Sequence, residues 1–217
     1  MRSVRLPESP FPTRQRPYQR RRTRPIVITS IVLAVLMVVI WVPVIIVSSG
    51  GPSDISCSPP SQGPEIGTVV DRSEFQDVTP TAPRDVRFTV LNAGDQRGQA
   101  NLVSAQLGDL EFSEARPPLN DSRYPQGDLD CVGQLRFGPT GEGAASTLAL
   151  VLPCVELVRD NRPGANVDVV IGASFTDVSP GRAARDVLDQ LSQPAGANGR
   201  PAVADPNLLA QARESGC

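Results

Sequence analysis

Histidine and lysine are both missing from this 217-residue chain. Histidine is the commonest general base and the commonest metal ligand. Its absence removes Ser-His-Asp and Cys-His nucleophile arrangements, and His-ligated zinc sites with them. Without lysine there is neither a P-loop nor a Schiff base. None of the four cysteines has the Cys-x-x-Cys spacing of redox or zinc chemistry, and no internal repeat recurs at a fixed period. Any enzyme built from this sequence would work with carboxylates, arginine or tyrosine, and no convincing constellation of them is visible. The chain reads as a non-enzyme, without cofactor or metal.

What is present is an uncharged run from Ile26 to Val47, 22 residues long. As a helix it measures about 33 Å at 1.5 Å per residue, enough to span a hydrocarbon core of about 30 Å. Ahead of it, residues 1–25 carry eight arginines against one acid, Glu8. Positive charge of that density beside an apolar helix holds its own side in the cytoplasm. The N-terminus is therefore expected inside and everything beyond about Ser48 outside the membrane. A cleaved signal peptide fits less well, because signal h-regions run about 7–15 residues and Val47-Ser48-Ser49-Gly50 is only a passable cleavage site. A lipid anchor at Cys57 is disfavoured by Asp54 and the polar spacer before it. The basic tail lies against the inner leaflet, so anionic lipid is its expected contact, rather than nucleic acid.

Beyond the apolar run there are 13 arginines and 22 acids, a net charge of −9. Bulk charge of that sign disfavours non-specific binding of nucleic acid or anionic wall polymers, so an anionic ligand would need a local site. All four cysteines (Cys57, Cys131, Cys154, Cys217) fall on the outer side. An even count in an oxidising compartment predicts two disulfides, for which three pairings exist.

The organisation follows from composition and periodicity. Residues 1–25 are an Arg- and Pro-rich tail expected to be disordered, and 26–47 the transmembrane helix. Residues 48–84 are an extracytoplasmic tether leading into one domain at 85–178, and 179–217 a helical extension. Arg87–Leu91 and Cys131–Phe137 alternate as strands, and Cys154–Val158 is a third. Val167–Gly172 is a nearly continuous apolar run suited to a buried place in a sheet. Ala100, Val103 and Leu107 have helical spacing. Ala144–Leu152 is a short apolar helix ended by Pro153. Ser179-Pro180 and Asp205-Pro206 each pair an N-cap with proline at the first helical position. The expected fold is α/β (α+β): a small mixed sheet of about four strands with helices packed on it. In a strand–helix–strand unit the helix runs back toward the start of the first strand. That geometry predicts Cys131 with Cys154, leaving Cys57 to join Cys217.

Val86–Val178 resembles the C-terminal domain of LytR-type envelope proteins. The resemblance rests on Val90-Leu91-Asn92-Ala93-Gly94, on Gly98, Ala100, Leu107 and Phe112, and on the closing run Val167–Phe175 with its Gly172-x-x-Phe175 exit. Asparagine, glycine and a small residue in this order open the helix in that family, though Ala93 stands where glycine is more frequent. Full-length members often carry a phosphotransferase domain ahead of this module. Only about 40 residues separate module from membrane here, so that chemistry is not implied. The resemblance implies a membrane-anchored cell-envelope protein that maintains the envelope by binding a cell-wall polymer or an assembly partner.

Two features are candidate sites. The turn containing Asn92, Gly94, Arg97 and Gly98 leads into a helix N-terminus, which favours anions. Against that, Asp95 would repel an anion, and Asn92 and Gly94 suit a plain turn. Asp121, Asp128 and Asp130 share a loop whose spacing is not that of an EF-hand, and a solvated loop is the simpler expectation. Asp128 with Asp130 is also the pair a rival glycan-cleaving enzyme would use. A pure protein-binding scaffold is the other rival.

Overall fold

The computed structural model describes residues 56–60, 66–194 and 202–214, with Ile28 and residues 33–37 nearer the N-terminus. The chain falls into two compact units, Met1–Gly51 and Pro52–Cys217. In the first, Ile28 and residues 33–37 are helical. Among the described residues no helix is long and apolar enough to cross a membrane. Most of the expected span 26–47 and the whole basic tail lie outside the described residues.

In the second unit the elements run β1 (Thr68–Val70), β2 (Arg87–Asn92), α1 (Gln99–Asp109), β3 (Ser113–Glu114), β4 (Leu119–Asn120) and β5 (Gly133–Phe137). Then follow α2 (Glu142–Val151), β6 (Glu156–Arg159), β7 (Val167–Ile171), α3 (Arg182–Leu191) and α4 (Pro206–Glu214). The strands form one seven-stranded mixed sheet in the order β1-β6-β5-β7-β2-β3, with β4 also pairing β2. The β5–α2–β6 unit is parallel, as strand–helix–strand units are. The apolar strand β7 sits in the interior, antiparallel to β5 and parallel to β2. Strands β1, β3 and β4 go beyond the four expected. They have two or three residues each, too short for alternation to register.

Period-2 geometry divides the sheet into two unlike faces. Phe88, Val90, Leu135, Phe137, Leu157, Val167, Val169 and Ile171 pack in one core with Ala100, Val103 and Leu107 of α1 and Ala145, Leu148 and Val151 of α2. Burying each large side chain there stabilises by about 1.5–3 kcal/mol. Leu150, Ala184, Val187, Leu191 and Ala212 form a second cluster with α3 and α4. Asp205 caps α4 as its sequence predicts, its Oδ1 accepting from Asn207 N at 2.9 Å and Leu208 N at 3.0 Å. At α3 the expectation fails by two residues: the helix begins at Arg182 with Gly181 as N-cap, and the Pro180 carbonyl instead accepts from Arg185 Nε.

The expected cysteine pairing is overturned. Among the described residues one disulfide is present, Cys57–Cys131, spanning a sequence separation of 74. Cys131 and Cys154 do precede parallel neighbouring strands, where Gln134 lies level with Glu156. Their side chains, however, leave on different faces. Cys131 packs beside Tyr124, Leu129 and Ile66 on the far face of the sheet, whereas Cys154 flanks a pocket with Val132, Val151 and Phe175 on the helix side. Cys57 arrives on the far face with the tether, so it takes Cys131. Cys154 is not a free thiol, and Cys217 lies outside the described residues.

Candidate functional site

The far face of the sheet carries the polar residues of the alternation: Gln134 and Arg136 of β5, Glu156 of β6 and Asp168 of β7. A polar row there must be hydrogen-bonded or solvated, and here it is bridged side chain to side chain. The Arg136 guanidinium pairs with Asp121 at 2.8 Å, both nearly inaccessible to solvent. Its Nε and Nη2 donate to Gln134 Oε1 at 3.0 and 2.9 Å. Gln134 Nε2 donates to Glu156 Oε2 at 2.7 Å, and Glu156 Oε1 accepts from the Cys57 backbone N–H at 3.2 Å.

The tether is thus held on this face by more than its disulfide. Ser58 donates to Asp130 through its N–H at 3.2 Å and its hydroxyl at 2.7 Å, and its carbonyl accepts from the Tyr124 hydroxyl at 2.8 Å. The Tyr124 ring lies 5.8 Å from the Arg136 guanidinium, within cation–π range. Burial pushes the Tyr124 hydroxyl above its usual range against the opposing charge of Arg136, and Asp121, Glu156 and Asp128 add to the upward shift. It therefore remains a neutral donor to Ser58. Between tether and β1 lies a groove of about 390 Å³, walled by Pro59, Pro60, Tyr124 and Val69, with Gln134 and Glu156 on its floor.

Farther along the same face Arg162 joins Asp160 at 2.7 Å and Asp168 at 2.8 Å. Burial raises the Asp160 pKa, but the hydrogen bonds and charge of Arg162 outweigh it and hold the carboxyl below its ordinary 3.8. A carboxylate depressed in the folded state contributes stability that is complete above its unfolded value. That contribution is lost as pH falls through the folded one. Arg162→Gln is expected to flatten the decline in stability between about pH 4 and pH 2. Urea midpoints across that window test this, and an acid limb identical to wild type would refute it.

The turn at Asn92–Gly98 is packed on the same side. Asn92 spends its amide locally, Nδ2 donating to the Gln96 carbonyl at 3.0 Å and Oδ1 accepting from Gly94 N at 3.3 Å. Gly94 is buried against Gly172 and Ala173. Gly98 caps α1 in the left-handed region at φ +82°, and Arg97 is exposed. Asn92 and Gly94 thus build the turn, and Arg97 stands exposed on it. The loop after β4 seals against it: Asp121 N donates to Asn92 O at 2.8 Å and Leu129 N to Ala93 O at 3.1 Å. Gly127, at φ +70°, approaches so closely that an added Cβ would lie 2.7 Å from Gly94 O. Gly127→Ala is expected to destabilise by roughly 2–3 kcal/mol. Gly98→Ala meets no atom within 4 Å and is expected to cost only the left-handed penalty, about 1–2 kcal/mol. Equal losses in urea denaturation would contradict the steric difference.

The three aspartates do not form one solvated cluster. Asp121 is buried on Arg136, Asp130 is bonded to Ser58, and Asp128 is exposed. Among the described residues no group of three or more potential ligands is placed to hold a metal ion. The Ser58 hydrogen bonds hold the Asp130 carboxyl below its usual range. A glycosidase acid requires the opposite shift.

Comparison with known proteins places this geometry. The chain is 34% identical over 219 residues to the cell envelope integrity protein Cei of Mycobacterium tuberculosis (strain ATCC 25618 / H37Rv), covering 95% of both chains. The chain belongs to the Cei family. Residues 85–175 match the LytR_C family model, described as LytR cell envelope-related transcriptional attenuator. That segment begins at the approach to β2 and ends at Phe175, so it takes in the turn, the loop and the polar face but not the Cys57 tether. The crystal structure of the soluble domain of a conserved hypothetical secreted protein from Mycobacterium marinum is also similar, at 38% identity and a TM-score of 0.62. It covers 70% of this chain and 99% of that one.

Proposed function

We propose that this protein is a non-catalytic, membrane-anchored component of the cell envelope. Residues 26–47 are its anchor and its C-terminal domain stands outside the membrane, maintaining envelope integrity by binding a cell-wall polymer or an envelope-assembly partner. The observation that carries the reading is the likeness to an envelope integrity protein over 95% of both chains. Coverage that complete takes in most of the apolar run as well as the domain. Arg97 on the exposed turn is the proposed contact for an anionic ligand, and the arginines of residues 1–24 the proposed contacts for inner-leaflet lipid. The secured tether supports the reading physically: a domain pinned at its membrane-proximal end transmits load to a bound polymer without unravelling from that end.

The test is co-sedimentation of the detergent-solubilised full-length chain with isolated cell wall, with soluble wall fragments as competitors. Saturable, competed binding that weakens in Arg97→Gln is the expected result for a wall polymer. If nothing co-sediments, the polymer reading fails and crosslinking in intact cells must yield a specific envelope protein. A chain that shows neither, and whose deletion leaves the envelope's resistance to detergents unchanged, would overturn the proposal.

A further inference from the structure

Arg72, Arg136, Arg159, Arg162 and Arg213 are all at least partly buried, and they divide into two kinds. Arg136, Arg159 and Arg162 each pair with a carboxylate. Arg72 and Arg213 have no such partner among the described residues, and both line one narrow cavity of about 70 Å³ with Phe75, Ser146, Leu150 and Leu157. Arg72 lies in the short 3-10 turn Arg72–Phe75; Arg213 lies in the last turn of α4. Two unrelated elements therefore bring like charges to one small space.

The hydrogen bonds account for these guanidiniums only in part. Arg72 Nη2 donates to the Val155 carbonyl at 2.7 Å, but its Nε is buried with no acceptor. Arg213 donates to the Gln76 carbonyl, to Val78 O at 2.6 Å and to Ser146 Oγ at 3.2 Å. All of these acceptors are neutral. Burial lowers the pKa of both groups, and only the charge of Asp77 acts the other way, on Arg213. The other acids nearby are engaged: Asp71 accepts from Ser73 and Glu74 faces Arg159 at 3.7 Å. A buried donor left unmade is costly, more so on a charged group. Two cations with no ion-pair partner among the described residues, Arg213 opposed only by the charge of Asp77, border one cavity and ask for an anion with several acceptor oxygens.

We propose that Arg72 and Arg213, with the Ser146 hydroxyl beside them, bind a phosphate group, whether as the free ion or at the end of a phospholipid. Guanidinium forks match phosphate oxygens, and a cavity of about 70 Å³ suits a group of that size. The inference is independent of what the Asn92–Gly98 turn binds.

The experiment uses the full-length chain in neutral detergent and follows its thermal midpoint under two additives, inorganic phosphate and a short-chain phosphatidic acid. Sodium chloride at equal ionic strength is the reference. At least one additive is expected to raise the midpoint saturably. Arg72→Gln, which removes one backbone contact and the unpartnered Nε, is expected to weaken apparent affinity roughly 10- to 100-fold. Arg116→Gln, on the exposed loop between β3 and β4, is expected to leave it unchanged. A shift with both additives assigns the free ion, and one with phosphatidic acid alone assigns the lipid. No shift beyond chloride, or the same shift in Arg72→Gln, overturns the proposal. Arg213→Gln is a poorer probe because its guanidinium also ties down the carbonyls of Gln76 and Val78.

Discussion

Replacing Cys57 and Cys131 together by serine is expected to lower the free energy of unfolding by roughly 4–5 kcal/mol. The bridge closes a loop across a separation of 74 residues, and in the chain-entropy model its contribution grows with the logarithm of loop length. Domains of this size are stable by only about 5–15 kcal/mol, so the double variant should sit close to its unfolding transition. The double change is the cleaner one, because either single change leaves an unpaired thiol free to oxidise or to link two molecules. Urea unfolding of the full-length chain in detergent reads the effect. Limited proteolysis locates it: cleavage near residues 56–60 should precede cleavage anywhere in the sheet. A loss below about 1 kcal/mol, with the tether still protected, would show that Glu156, Asp130 and Tyr124 secure the tether without the bridge. The model-dependent entropy figure would then not apply to this loop.

The elements that could be read ahead of the structure are those whose physics is local. The alternation in Arg87–Leu91, the apolar run of Val167–Gly172, the i, i+3, i+7 spacing of Ala100, Val103 and Leu107, and the Asp205-Pro206 start all became the expected elements. So did the parallel β5–α2–β6 unit. What escaped is what depends on face and on long-range partners. The pairing of Cys131 turned on which side of the sheet its side chain leaves, and nothing in strand–helix–strand geometry specifies that. Asp121 reads as a solvated loop residue because its ion-pair partner is 15 positions away on a central strand. The clue was Arg136 itself: an arginine between Leu135 and Phe137 in an interior strand needs a counter-charge, and acids in the preceding loop are near enough to supply one. No comparable clue pointed to Arg72 and Arg213, which are 141 residues apart and meet only through the packing of α4.

Arg136→Leu is expected to destabilise the domain by about 3–5 kcal/mol, although it places an apolar residue on an interior strand. The loss arises from what remains behind. Asp121, 2% exposed and 2.8 Å from the guanidinium, would be left as a buried carboxylate with its cation removed, and Gln134 Oε1 would lose both of its donors. Asp121→Leu alone should cost a similar amount by the converse argument. The double variant Arg136→Leu/Asp121→Leu removes both charges and should cost less than the sum, since exchanging a buried pair for apolar residues is often close to neutral. A positive coupling of about 1–3 kcal/mol in the double-mutant cycle is the expected signature; strict additivity would mean that the pair is solvated and contributes nothing. The single variants should also loosen the tether. Asp121 anchors the loop that carries Tyr124 and Asp130, and these two residues hold Ser58. Protease sensitivity near residues 56–60 should therefore rise in Arg136→Leu with the disulfide intact, and fall back in the double variant. That order of effects would make the ion pair, buried in the sheet face, the support on which the tether's polar contacts depend.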